Sequence, residues 1–225
     1  MPLQKKDFIE VEFTAKLKDG EIFDSNRKED LGKAGLNGDA KPFIFALGEG
    51  MFLNSIDDYL IGKEVGEYKI ELTPDKAFGK RDPKMIHMIP LVSFRQQQTN
   101  PIPGAVFNFD GRLARVLTVS GGRVMVDFNN PLAGKDVVYE VNVLRKIEDI
   151  NDKIRAINEF LFRRNFEYKV KENKLNMRAP KGWSKFIELF KEKYKDLLNL
   201  EISVEEFEEK ENKLAEKEDK TVEKE

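Results

Sequence analysis

Residues 9–24 of the chain read Ile-Glu-Val-Glu-Phe-Thr-Ala-Lys-Leu-Lys-Asp-Gly-Glu-Ile-Phe-Asp. Apolar and polar residues alternate from Ile9 to Leu17, which is the period of a strand with one buried face. The dipeptide Asp19-Gly20 follows, and between two such runs it is typical of a tight hairpin turn. The returning strand ends at Phe23-Asp24, where an aromatic ring stands next to a carboxylate. The stretch therefore predicts a β-hairpin with one apolar face.

The composition excludes several kinds of chemistry. The 225 residues contain no cysteine and a single histidine, His87. Disulfides, thiol catalysis and zinc–thiolate sites are therefore excluded, as are metal sites that need several histidines. The 39 basic and 41 acidic side chains nearly cancel, so the net charge gives no sign of nucleic-acid binding. We expect no metal, no cofactor and no nucleic-acid partner.

The sequence also gives no sign of a membrane protein. No segment has the roughly 20 consecutive apolar residues that a membrane-spanning helix needs. The residues before the first strand, 1–7, have no apolar run of signal-peptide length. We therefore expect a cytoplasmic protein without a membrane partner.

Short elements follow the hairpin before residue 80. Residues 27–41 are polar and contain three glycines, which predicts a loop. Residues 42–48 predict a strand closed by glycine, and residues 55–62 predict a short helix capped by Ser55. Residues 67–72 alternate again and predict another strand.

The order of these motifs resembles the FKBP-type peptidyl-prolyl cis-trans isomerases. In the hairpin, Phe-Thr is followed after five residues by Gly and after two more by Phe-Asp-Ser, as at the start of that family. Residues 47–56, 65–67 and 73–79 are similar to its middle part, and residues 132–141 to its last strand. The resemblance implies an α+β fold, an antiparallel half-barrel wrapped on a short helix.

The segment before the last strand is longer than in the minimal family member. We interpret it as a small β-rich domain inserted into a surface loop, which is tolerated where the two ends of the insert lie close together. Its position resembles the SlyD-like and archaeal long-type FKBPs, in which the insert is a chaperone domain. The predicted domains are an isomerase domain at 1–83 and 131–150, the inserted flap domain at 84–130, an α+β C-terminal domain with the order αββαβ at 151–208, and a charged tail at 209–225.

The resemblance implies an active site that needs no nucleophile and no metal. Asp24 would lie beside the prolyl carbonyl, and the Leu53 backbone N–H would anchor the peptide. The implied catalytic residues are Asp24, Phe23, Phe13, Phe78 and Tyr139, and the implied substrate-binding residues are Phe43 (or Phe45), Phe52, Leu53 and Ile56. Core packing is the alternative reading of each aromatic residue, because 17 phenylalanines need burial somewhere.

Three positions depart from the usual family pattern. Phe13 and Phe78 stand where tyrosine is usual, and Ile56 stands where tryptophan is frequent. Losing one hydrogen bond to a neutral group costs about 0.5–1.5 kcal/mol, or up to about tenfold in rate. The predicted function is an isomerase that assists protein folding, and the alternative is a non-catalytic chaperone or assembly module of the same fold.

The apolar residues of the insert have two interpretations. They form either a methionine-containing groove for unfolded chains or only the core of the insert. The residues in question are Ile86, Met88, Ile89 and Leu91, with Phe94, Val106 and Phe107. The expected partners are unfolded or nascent polypeptides with X–Pro bonds, together with a second copy of the chain. The latter follows from the spacing in residues 183–198, which predicts one long amphipathic helix that could dimerise.

Overall fold

The computed structural model describes residues 1–38 and 40–208, so the charged tail predicted at 209–225 lies outside the described residues. The chain forms three separate sheets, six α-helices and two short 3-10 helices within these ranges. The strands and helices of the first part are β1 (Phe8–Leu17), β2 (Ile22–Ser25), α1 (Lys28–Ala34), β3 (Phe43–Ala46), α2 (Asn54–Leu60), β4 (Gly66–Leu72) and, much later in the chain, β9 (Val137–Lys146). The α+β fold class predicted from the sequence is confirmed.

The first sheet is built around β1. Strand β9 pairs with β1 along its whole length, from Ile9 to Leu17, and β4 pairs with the other edge of β9. The opposite edge of β1 is shared, since β3 pairs with its first half and β2 with its second half. All these pairings are antiparallel, and α2 buries Ile56 and Leu60 completely in the core. The hairpin predicted from residues 9–24 is confirmed, because β1 and β2 pair with Asp24 opposite Ala15.

Asn26 closes the gap that β2 and β3 leave between them on this edge. The Phe13 N–H donates to Asn26 Oδ1 at 2.7 Å, and Asn26 Nδ2 donates to the Val11 carbonyl at 3.0 Å. The side-chain amide thus replaces the ladder bonds that a continuous neighbouring strand would make. It fixes the middle of β1, where Phe13 lies.

The second sheet belongs to the segment between β4 and β9. Its elements are β5 (Ile86–Pro90), α3 (Leu91–Gln96), β6 (Val106–Phe109), β7 (Arg112–Ser120) and β8 (Arg123–Asp127), with the strand order β5-β8-β7-β6. Phe94 from α3 packs on Val116, Val124 and Val126 in a core separate from that of the first sheet. The chain enters and leaves at one place, since Asp82 and Asn129 exchange two hydrogen bonds of 2.8 and 3.0 Å.

The remaining described residues form a C-terminal unit, residues 150–207. It consists of α4 (Ile150–Phe162), β10 (Glu167–Lys171), β11 (Lys174–Pro180), α5 (Ser184–Glu188), α6 (Lys191–Leu198) and β12 (Glu201–Phe207). The strand order is β10-β11-β12, and β11 and β12 are parallel. Its buried residues, such as Ile154 and Ile157, belong to the same continuous core as the first sheet. Asp149 caps α4 by accepting from the Asn151 and Asp152 N–H groups.

Several local predictions were wrong. Residues 28–34 form α1 instead of a loop, since burial of Leu31 stabilises this turn and Gly35, at φ 62°, ends it. Helix α2 has no side-chain cap, because the Ser55 hydroxyl donates to the Lys76 carbonyl at 2.6 Å instead.

The helix predicted at 183–198 is two helices, so the C-terminal order is αββααβ. The chain bends at Phe190, where φ is −102° and ψ is 8°. This bend lets Phe186 and Phe190 both contact the ring of Phe162, at 5.7 and 5.6 Å. Within the described ranges, none of the helices is long and apolar enough to cross a membrane.

Candidate active site

Seven aromatic side chains from separate parts of the sequence meet on the apolar face of the first sheet. Successive ring centroids lie 5.0 to 6.3 Å apart, and most pairs meet edge-on or tilted, as aromatic pairs prefer. The residues are Phe13, Phe23, Phe43, Phe45, Phe52, Phe78 and Tyr139. We call this group the aromatic cluster. It contains all of the aromatic residues that the sequence predicted for the site.

The aromatic cluster has a buried base and a partly exposed rim. Phe45 and Ile56 are fully buried, and Phe13 and Tyr139 expose only 6 and 4% of their surface. Phe23, Phe43, Phe52, Leu53 and Phe78 are partly buried and pack against this base. The sequence left open whether Phe43 or Phe45 lines the site. Phe43 lies at the rim of the cluster, whereas Phe45 lies in the core. Solvent, or a peptide, can reach the rim.

Asp24 is the carboxylate at the margin of the aromatic cluster. It follows Phe23 on β2, and its side chain keeps an exposed surface. Loss of hydration beside the rings raises the pKa of Asp24, although a hydrogen bond from the Ser25 backbone opposes that rise. The carboxylate is therefore less well solvated than an ordinary surface aspartate, which strengthens its interactions with nearby dipoles.

Tyr139 brings a hydroxyl to the same place. Its ring contacts Phe13, Phe23 and Phe52 at 6.3, 6.0 and 5.9 Å. Burial, and then the negative charge of Asp24, raise the pKa of Tyr139, so the phenol stays protonated at neutral pH. The hydroxyl is thus a hydrogen-bond donor beside Asp24, at a site where Phe13 and Phe78 provide none.

Leu53 lies where the chain turns into α2. Its carbonyl accepts from the Ile56 and Asp57 N–H groups at 2.8 and 3.2 Å, which starts the helix. Within residues 1–38 and 40–208, no acceptor receives the Leu53 N–H. Phe52, the residue before it, contacts four other rings of the aromatic cluster. The Leu53 N–H is therefore an unused donor next to the cluster.

The apolar residues of the insert that the sequence analysis grouped together lie in two different environments. Ile89, Leu91, Phe94 and Phe107 pack in its core. Met88 and Val106 expose 56 and 55% of their surface, and Met88 pairs with Met125 across the opposite face of the sheet. Ile86 lies two residues before Met88 on β5, so its side chain is on the same face of the strand, and it is partly exposed. Core packing therefore accounts for Ile89, Leu91, Phe94 and Phe107, and the groove stays a prediction for Ile86, Met88 and Val106.

Sequence reasoning missed residues that hold the site in place. Asn26 and the buried Asp57 bond backbone groups beside the aromatic cluster, and neither belongs to a pattern of apolar spacing. Asp57 directly follows the floor residue Ile56, so helix α2 supplies both. A lone acidic residue in a short helix signals only a solvated face, so its burial could not be foreseen.

One family model and several individual proteins match this chain. The family model of the FKBP26 IF domain matches residues 87–132. The FKBP-type 16 kDa peptidyl-prolyl cis-trans isomerase of Escherichia coli is 33% identical over 148 residues, which cover 63% of this chain and 92% of that protein. The short-type peptidyl-prolyl cis-trans isomerase of Methanocaldococcus jannaschii is 28% identical over 145 residues, covering 63 and 92%.

A third relative adds the SlyD type. The FKBP-type peptidyl-prolyl cis-trans isomerase SlyD of Treponema pallidum is 27% identical over 165 residues, covering 70% of this chain and 85% of that protein. The resemblance read from the motifs is thus confirmed by relatives matched over most of their own length. The chain belongs to the FKBP-type peptidyl-prolyl cis-trans isomerase family.

Proposed function

We propose that this protein is a peptidyl-prolyl cis-trans isomerase that acts on X–Pro bonds of unfolded or nascent polypeptides. The observation that carries the proposal is the aromatic cluster, with a buried base, a partly exposed rim and the carboxylate of Asp24 at its margin. The three relatives are named as peptidyl-prolyl cis-trans isomerases, which supports the same reaction.

An apolar surface with a few hydrogen-bonding groups is enough to catalyse this reaction. Rotation about a peptide bond is opposed by a barrier of about 18–20 kcal/mol, because resonance gives the bond partial double-bond character. That resonance separates charge between the carbonyl oxygen and the nitrogen. An apolar pocket solvates the planar, charge-separated amide poorly, so it favours the twisted state in which the resonance is lost.

The polar groups of the site would select the twisted state. The proline ring would sit against the rim of the aromatic cluster, with Asp24 beside the prolyl carbonyl. The unused Leu53 N–H would bond the peptide backbone, and the Tyr139 hydroxyl would provide the donor that Phe78 lacks. Each such bond is worth about 0.5–1.5 kcal/mol, which is enough to matter if it forms best in the twisted state.

The experiment is proline-limited refolding of a test protein, followed with catalytic amounts of this protein. The expected result is a slow phase that accelerates in proportion to the concentration of the protein. Refolding at the uncatalysed rate, over tens of seconds or longer, would contradict the proposal.

The proposal includes a binding role for the insert, taken as residues 84–130. Its outer sheet face exposes Met88, Val106 and Leu113, the last with 68% of its surface exposed. Methionine adapts to varied partners, which suits a surface for unfolded chains. A chain held there would raise the local concentration of its prolines at the aromatic cluster to about the millimolar range.

A double variant tests this role of the insert. Met88→Ser with Leu113→Ser changes exposed side chains only, so the fold should persist. We expect protection of an unfolded client from aggregation to fall at least threefold, with unchanged activity on a short X–Pro peptide. Val65→Ser, an equally exposed valine of the isomerase part, is the control. Equal protection by the double variant and the control would refute the role.

A non-catalytic chaperone of the same fold is the second candidate. It is favoured by Phe13 and Phe78, which place no hydroxyl at two positions of the site. The two functions differ on a short X–Pro peptide, because only the isomerase accelerates its exchange. Protection of a client without that acceleration would establish the second candidate.

The proposed partners also include a second copy of the chain. Phe186 and Leu189 expose 44 and 75% of their surface at the bend between α5 and α6. Of the other apolar residues of this stretch, Ile187 and Tyr194 are buried, and Trp183, Phe190, Leu197 and Leu198 are partly buried against the core. Light scattering of the full chain should therefore show a dimer that Leu189→Ser weakens. A monomeric mass at all concentrations would refute the dimer.

A further inference from the structure

The loop of residues 47–51 connects β3 to the two site residues at the start of α2. Phe52 and the Leu53 N–H follow it directly, so the position of this loop determines theirs. The first residue of the loop, Leu47, is tied to the N-terminal segment. The Lys6 N–H donates to the Leu47 carbonyl and the Leu47 N–H to the Asp7 carbonyl, each at 2.9 Å. Residues 48–50, between Leu47 and Phe52, belong to no strand or helix.

Asp57 holds this loop from the side of α2. Its residue surface is 1% exposed, and its Oδ2 accepts from the Gly48 N–H at 3.0 Å. Gly48 has a positive φ of 74°, which glycine adopts without strain and which turns its N–H inward to this acceptor.

Lys193 holds the same loop from the opposite side, and it belongs to the C-terminal unit. Its Nζ lies 3.3 Å from the Glu49 carbonyl and 3.5 Å from Glu49 Oε2. The two side chains are 26 and 15% exposed, so the pair is largely withdrawn from water. Glu49 directly follows Gly48, so Asp57 and Lys193 hold neighbouring residues of the loop from opposite sides.

The C-terminal unit packs on the first sheet, and this packing fixes the position of Lys193 relative to that sheet. Helix α4 packs against β3, and its buried residues continue the core of the first sheet. A second ion pair joins Lys6 to Asp196 on α6 at 2.5 Å. The latter pair is more exposed, with 44 and 54% of its side chains in solvent. The negative charge of Glu49 also acts on Lys6, but Lys6 donates its side-chain hydrogen bond to Asp196.

We propose that Lys193 is a positioning residue of the isomerase site, and that through it the C-terminal unit braces the 47–51 loop and so the Phe52 ring and the Leu53 N–H. This assigns the C-terminal unit a part in catalysis, and it rests on the proposed isomerase function. Removing one partner of a largely buried ion pair leaves the other charge uncompensated. The Glu49 carboxylate would then move toward water and carry the loop with it. A displacement of about 1 Å at a positioned group can cost up to about a hundredfold in rate.

The test compares variants of the full chain on a short X–Pro peptide. In Lys193→Met, which keeps the length of the side chain, we expect kcat/KM to fall at least threefold. Lys193→Arg, which keeps the charge and donors, should restore it to within twofold of wild type. Lys195→Met, at an exposed site of the same helix, and Asp196→Asn, which removes the other ion pair, should leave kcat/KM unchanged.

Backbone amide NMR of the same variants provides a second readout that does not depend on activity. In Lys193→Met we expect shifted or broadened amide signals of Gly48, Gly50, Phe52 and Leu53, with the strand β9 signals unchanged. Wild-type activity or unmoved loop signals in Lys193→Met would overturn the brace, as would an equal loss in Asp196→Asn. If the wild type does not accelerate exchange at all, the proposed function fails, and the NMR signals still decide whether Lys193 braces the loop.

Discussion

At the scale of single residues, the buried carboxylate of Asp57 holds the 47–51 loop in place but lowers the stability of the fold at neutral pH. Burial raises the pKa of Asp57 to about 6, although the hydrogen bond from Gly48 opposes the rise. A folded-state pKa above the unfolded value means that the group stabilises the fold below about pH 4. That contribution is lost as the pH rises through about 6. Because neutral pH lies above this pKa, the carboxylate is ionised there despite its burial, and it accepts the Gly48 N–H of the loop.

We predict that Asp57→Asn is more stable than wild type at pH 7.5, by up to about 3 kcal/mol, because the buried charge is removed. At pH 4.5 the two proteins should differ much less, since the wild-type carboxyl is then largely protonated. Urea unfolding at both pH values measures this difference. Glu71→Gln, which neutralises an exposed carboxylate on β4, is the control. The same pH dependence in wild type and Asp57→Asn would contradict the assignment.

At the scale of elements, the 47–51 loop depends on glycine. Gly48 has a φ of 74°, and a Cβ there would come within 2.9 Å of Lys5 Cγ. Gly62 has a similar φ of 83° but open space around it. We predict that Gly62→Ala costs about 1 kcal/mol of unfolding free energy, from backbone strain alone. Gly48→Ala should cost more, because Lys5 must also move. Equal losses in urea unfolding would show that the space at Gly48 is unimportant.

The elements also show what the sequence could predict. Strict alternation from Ile9 to Leu17 predicted β1, because one face is buried along its whole length. Helix α1 was missed because Gly32 and polar residues mask a single buried side chain, Leu31. The bend at Phe190 was missed because it depends on the position of Phe162, more than 25 residues earlier.

The sequence also predicted only part of the candidate site. Its aromatic residues could be predicted from their joint spacing, which carries the family resemblance. The groups that hold them, Asn26, Asp57 and Lys193, act through single contacts between distant segments. Such contacts leave no periodic signal in one sequence.

At the scale of the whole molecule, the described residues have two cores. One is shared by the first sheet and the C-terminal unit, and the other belongs to the insert and contains five buried residues. A small separate core stabilises less than a large continuous one. We predict that amides of β7 and β8 exchange with solvent by an opening of lower free energy than those of β1, β9 and β11. Native-state hydrogen exchange measures this, and one common free energy for all five strands would contradict it.

The isomerase site is tested most directly by the exchange rate of a short X–Pro peptide, measured by NMR with wild type and Asp24→Ala. We predict that wild type accelerates exchange and that Asp24→Ala reduces kcat/KM at least fivefold. We also predict that Glu21→Ala, which removes an exposed carboxylate from the same hairpin, has no effect. Equal activity of wild type and Asp24→Ala, or no acceleration by wild type, would contradict the proposed site.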